Sequence, residues 1–73
     1  MEKKLQGYVK KMMKIEGYGF LTHAATGEDY FFHRTSVEQT SELGFEEMEQ
    51  DQAVEFIPVT GPKGSRALQV RSI

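Results

Sequence analysis

Tyr18, Phe20, Phe31 and His33 are the side chains of this sequence with the most chemistry to offer, and their spacing directs it outward. They stand in two short runs, Gly17-Tyr18-Gly19-Phe20-Leu21 and Tyr30-Phe31-Phe32-His33, separated by a polar turn. An extended strand points successive side chains to opposite faces. Tyr18, Phe20 and Thr22 therefore share one face, and Gly19, Leu21 and His23 the other. With Leu21, Tyr30 and Phe32 turned inward, Tyr18, Phe20, Phe31 and His33 lie together outside. Flat rings bare to water side by side carry a solubility cost unless something covers them. Nucleic-acid bases are the expected cover, because every base offers a π face.

Other chemistries fit poorly. The 73 residues contain no cysteine, which excludes disulfides and thiolate-based zinc sites. The two histidines, His23 and His33, fall on opposite strand faces, so no metal site is expected and no cofactor is called for. No nucleophile, base and orienting group recur at a workable spacing, and a chain of this length has no room for a deep cleft. An enzyme is therefore not expected. No apolar stretch approaches the roughly 20 residues that cross a bilayer, and the start, Met1-Glu2-Lys3-Lys4-Leu5, leads into no apolar signal core. The expectation is one domain, residues 1–73, in the cytoplasm and off the membrane.

The net charge of −2 argues against a polyanionic partner until its distribution is considered. Lys3, Lys4, Lys10, Lys11 and Lys14 precede the aromatic runs, whereas Glu38, Glu42, Glu46, Glu47, Glu49, Asp51 and Glu55 share one stretch without Lys or Arg. Segregation of this kind can leave a locally positive surface beside the rings.

The rings need strands to hold them. Alternation and turn residues predict strands over 5–13, 18–23 and 29–33, joined as a meander. Residues 34–52 read as a long ordered loop with one helical turn near 35–38 and Val37, Leu43, Phe45 and Met48 as apolar anchors. A fourth strand over 53–59 turns Val54 and Phe56 inward and Glu55 and Ile57 outward, with Pro58 marking an edge or an end. The cluster Thr60-Gly61-Pro62-Lys63-Gly64 breaks the chain. A fifth strand over 66–72 turns Leu68 and Val70 inward and Ala67, Gln69 and Arg71 outward. Five short strands with a long connection after the third predict an all-β, five-stranded antiparallel Greek-key barrel of the oligonucleotide-binding type.

These residues resemble the bacterial cold-shock protein family over nearly the whole chain. The two aromatic runs look like its two ribonucleoprotein motifs. Gly7-Tyr8-Val9-Lys10, Gly44-Phe45, Asp51-Gln52-Ala53-Val54-Glu55-Phe56 and Gly61-Pro62-Lys63-Gly64-Ser65-Arg66-Ala67 match at the same spacing. The resemblance implies a barrel whose second and third strands stack single-stranded RNA or DNA, with a mild pyrimidine preference. It also implies a role as RNA chaperone or transcription antiterminator. By motif position Tyr18, Phe20, Phe31 and His33 are the stacking residues, Phe45 an aromatic on the long loop, and Lys10 and Lys63 basic contacts. Lys11, Arg34 and Arg66 join them as further cations beside the motifs.

The chain also departs from the family. Lys11-Met12-Met13 stands where the family usually has Trp-Phe-Asn, Arg34 replaces an aromatic after the motif histidine, and Glu16 replaces a lysine. A stacked base is worth about 1–3 kcal/mol, so binding weaker and more salt-dependent than is usual for the family is expected. Arg34 can offset part of this by stacking its guanidinium on a base. The competing expectation is a divergent barrel kept as a protein-interaction module, motivated by the acidic balance, the missing aromatics and the outward Ile57. The barrel is expected to be a monomer or a strand-swapped dimer.

Overall fold

The structure, a computed structural model, describes residues 3–73. Met1 and Glu2, which open the start considered above, lie outside the described residues. Five strands appear in order: β1 (Leu5–Met13), β2 (Tyr18–His23), β3 (Asp29–His33), β4 (Ala53–Gly61) and β5 (Gly64–Ser72). Two single 3₁₀ turns, Arg34–Ser36 and Phe45–Glu47, punctuate the long connection after β3. The strands close into a barrel in the order β1-β2-β3-β5-β4, so the expected fold class holds. Its pairings are antiparallel except the β3–β5 seam, which is parallel and rests on one register pair, Phe31 with Arg66. An isolated parallel bridge, Val37 with Val70, extends that side.

The core follows from strand alternation. Val9, Leu21, Phe32, Met48, Val54, Phe56 and Val70 are fully buried, with Tyr30, Phe45 and Ala67 nearly so. Each large apolar side chain taken wholly out of water contributes about 1.5–3 kcal/mol. Close approach of β1 and β2 depends on Gly7, where a Cβ would collide with the carbonyl oxygen of Thr22.

The first three strands match their expected bounds, but β4 and β5 do not. Thr60 and Gly61 continue the ladder opposite Ser65 and Gly64, so the breaker cluster contracts to a two-residue turn, Pro62-Lys63. Gly64 makes this possible with φ +114°, a conformation that side chains disfavour.

The expected facing of β5 is also corrected. Register passes from Glu55–Arg71 to Ile57–Leu68, so two steps on β4 face three on β5. Gln69 absorbs the extra residue in a left-handed conformation, φ 51°. Such a bulge reverses side-chain parity beyond it. Ala67 therefore turns inward and is buried, while Leu68, expected inside, is exposed. Ile57, expected bare, is only 6% exposed. Ile57 pairs directly with Leu68 and so shares its face. The interaction-module reading thereby loses its exposed isoleucine.

Candidate nucleic-acid interface

Antiparallel register between β2 and β3 sets Tyr18 opposite His33 and Phe20 opposite Phe31. The intervening pairs, Gly19–Phe32 and Leu21–Tyr30, belong to the inner face. Tyr18, Phe20 and Phe31 are each half-buried and brace one another: ring centroids lie 5.9 Å apart for Tyr18–Phe20, 5.5 Å for Tyr18–Phe31 and 5.8 Å for Phe20–Phe31. Phe20 meets both other rings edge to face, whereas Tyr18 and Phe31 are tilted by 32°; such pairs attract one another, which fixes the rings without hiding them. The three rings thus stand together on the outer face of β2 and β3, each partly covered by its neighbours.

The neighbouring strands add cations in the same row. β1 sets Lys11 against Phe20, and β5 sets Arg66 against Phe31. One line across four strands thus reads Lys11, Phe20, Phe31, Arg66. A parallel line reads Met13, Tyr18, His33. Hollows flank the rings on both sides. One, of about 310 Å³, is lined by Phe31, Lys63, Ser65 and Arg66. The other, of about 250 Å³, is lined by Phe20, Lys10, Lys11 and Asp29.

The cations are not equivalent. Lys10 Nζ lies 2.7 Å from Asp29, whose other carboxylate oxygen accepts from Thr22 Oγ1 at 2.8 Å. The hydrogen bond from Lys10, then that from Thr22, holds the Asp29 carboxyl below its ordinary value, and the bond to Asp29, with the attraction of its charge, raises Lys10. Lys14 is likewise paired, with Glu49 at 2.8 Å. Among the described residues no carboxylate reaches Lys11, Arg34, Lys63 or Arg66.

Arg34 is anchored at the edge of the rings. Its backbone N–H donates to Gly17 O at 2.9 Å. Its guanidinium packs over Gly17, with Nε 3.0 Å and Nη2 3.3 Å from where a Cβ would stand. His33 is exposed, and its Nδ1 accepts from the Thr35 backbone N–H at 3.2 Å, capping the 3₁₀ turn.

Phe45 is the correction among the site residues. It is 7% exposed and packs edge-on to Phe32 at a centroid distance of 6.1 Å. Its ring pins the long loop to the barrel and is not available for stacking. Conversely, Met13, Ser65 and Asp29 belong to the face, and no motif in the sequence marks them. Met13 was readable by counting back through the β1–β2 hairpin from Tyr18. Its parity is set by the irregularity between Val9 and Lys11, which leaves no local signature.

Comparison with known proteins agrees with the barrel fold. The family model described as "'Cold-shock' DNA-binding domain" matches residues 5–73. The chain is 40% identical over 67 residues to "Cold shock-like protein CspA" of Stigmatella aurantiaca, covering 92% of this chain and 94% of that protein. It is 41% identical over 66 residues to "Cold shock-like protein" of Aquifex aeolicus, covering 90% of each. It is 34% identical over 73 residues to "Major cold shock protein CspA" of Pseudomonas aeruginosa, covering all of both. Among solved structures, "drosophila Unr CSD456" superposes with a TM-score of 0.76 at 28% identity, covering 99% of this chain and 27% of that one. A family match across all five strands, relatives aligned nearly end to end and a shared barrel together place this chain in the cold-shock domain family.

Proposed function

We propose that the chain binds single-stranded RNA or DNA on the outer face of β1, β2 and β3, stacking bases on Phe20, Phe31 and Tyr18. The observation that carries this reading is the row Lys11, Phe20, Phe31, Arg66, in which two half-buried outward rings are flanked by two cations without carboxylate partners. Stacking surfaces bordered by positive charge are what an unpaired polynucleotide needs: faces for its bases and counter-charge for its phosphates. Lys63 lies beside Phe31 for a further phosphate, and Arg34 continues the platform past Tyr18. Lys10 contributes less, because a phosphate must compete with Asp29 for it.

Stacking tolerates every base, so little sequence choice arises on the rings themselves. A chain that holds unpaired bases draws RNA away from its paired forms by mass action. An RNA chaperone or antiterminator role follows from that equilibrium and requires no catalytic group.

The test is titration of a short pyrimidine oligomer, followed by tyrosine fluorescence, with Phe20→Ala beside the parent chain. Stacking is worth about 1–3 kcal/mol per base, so Phe20→Ala should weaken binding roughly fivefold to 150-fold with an unchanged circular dichroism spectrum. Full affinity in a folded Phe20→Ala chain refutes this face.

A further inference from the structure

Beside the ring row lies a third hollow, a recess that stacking does not use. It has a volume of about 530 Å³ and is lined by Lys10, Lys11, Met12, Glu49 and Gln50. Its walls follow from the course of β1. The β1–β4 ladder ends at the pair Tyr8–Ala53, and the loop before β4 then takes over the edge. Val9 donates to Gln52 O at 2.9 Å, and the Asp51 N–H donates to Val9 O at 2.8 Å. Asp51 adopts φ 73° to make this approach. That pinned bend carries Glu49 and Gln50 beside Lys10 and Lys11. The same two lysines line the hollow against Phe20, so a nucleotide stacked there has its neighbour at the mouth of the recess.

The functional groups are mixed in a telling way. Glu49 Oε2 takes the Lys14 ammonium at 2.8 Å, and its Oε1 has no partner among the described residues. The Gln50 side-chain amide has none there either. Two lysines alone would suit phosphate, but a carboxylate facing the same space repels it. A carboxylate accepts, an amide both donates and accepts, and together they complement the edge of a base that carries an exocyclic amino group.

We propose that the recess takes the Watson–Crick edge of one amino-bearing base, cytosine in a pyrimidine strand, with Glu49 accepting from the amino group. Gln50 bonds the ring edge and Lys11 meets the adjoining phosphate. The proposal rests on the stacking reading above and adds base choice to it. Uracil presents a carbonyl oxygen where cytosine has its amino group, which sets acceptor against acceptor at Glu49 and leaves both unpaired.

Hexamers of cytidine and of uridine have rings of one size and differ at this position. Titrating the full chain with each therefore separates edge from stack. The parent chain should bind the cytidine hexamer about tenfold more tightly. Glu49→Gln, on an exposed side chain, should bring the two within about twofold, because an amide can serve either base. Gln50→Ala should weaken the cytidine hexamer and leave the uridine hexamer within about twofold. Lys14→Ala breaks the same ion pair without touching the acceptor, and should shift both hexamers alike. Equal affinities in the parent chain, or a preference that survives Glu49→Gln, overturn the recess while leaving stacking intact. Failure of both hexamers to bind overturns the stacking reading along with it.

Discussion

Phe31 and Phe32 are neighbours in β3, identical in chemistry and opposite in consequence. Phe32 is fully buried among Leu21, Phe45 and the rest of the core, whereas Phe31 lies half-bare against Tyr18, Phe20 and Arg66. The contrast teaches that in a thin barrel one step along the strand separates what folds the chain from what it can hold. Stability and binding should then be dissociable by substitutions one residue apart.

The largest expected effect is on the inner side. Phe32→Ala should cost about 3–5 kcal/mol, on the order of the whole stability of a small domain, and urea denaturation should find little folded protein. Phe31→Ala should leave the urea midpoint nearly unchanged and weaken oligomer binding by about 1–3 kcal/mol. An unfolded Phe31→Ala chain would break the contrast.

The next test carries the contrast to β4 and β5, where alternation is interrupted. Ile57→Ala should cost about 2 kcal/mol or more, as for a buried isoleucine, and Leu68→Ala about 1 kcal/mol or less. Plain strand parity demands the reverse order. Denaturation midpoints of the two variants decide between them.

A smaller effect sharpens the outer side. A single-stranded ligand releases about 0.7 counterions per phosphate neutralised. Lys11→Ala should therefore flatten the slope of log K against log salt by about that amount, and Lys10→Ala, whose cation is already engaged by Asp29, should flatten it less. Titrations at stepped salt concentrations read both.

The smallest effect concerns pH. The Asp29 carboxyl is held below its ordinary 3.8 by Lys10 and then Thr22. A depressed folded value means that the stabilisation is present above the unfolded value and lost as pH falls through the folded one. Thermal melts should show Asp29→Asn slightly below the parent at pH 7, with the gap closing once the pH drops under 3.8. At the alkaline end the same pair fades as pH rises through the raised Lys10 value, above 10.5.

Strand alternation in the sequence carries the outer face of β2 and β3 and fails where β4 meets β5. The facing of Tyr18, Phe20, Phe31 and His33 was legible because β2 and β3 pair over five residues without a break, so a period of two maps straight onto inside and outside. Ala67, Leu68 and Ile57 were not, because the extra residue at Gln69 answers to the partner strand, and nothing local announces it. Phe45 sits in a segment without periodicity, where burial depends on how the loop lands on Phe32. The packing of Arg34 over Gly17 joins residues distant in sequence through a hairpin and a turn. Such contacts are properties of the closed barrel.

The parallel seam between β3 and β5 has one further consequence. Held by the Phe31–Arg66 pair and the Val37–Val70 bridge, it is the thinnest suture in the barrel and the natural place for breathing motions to start. The ring row crosses that suture. A polymer draped over Phe31 and Arg66 would fasten it like a clasp, so amide protons of β3 and β5 would exchange more slowly in the loaded chain.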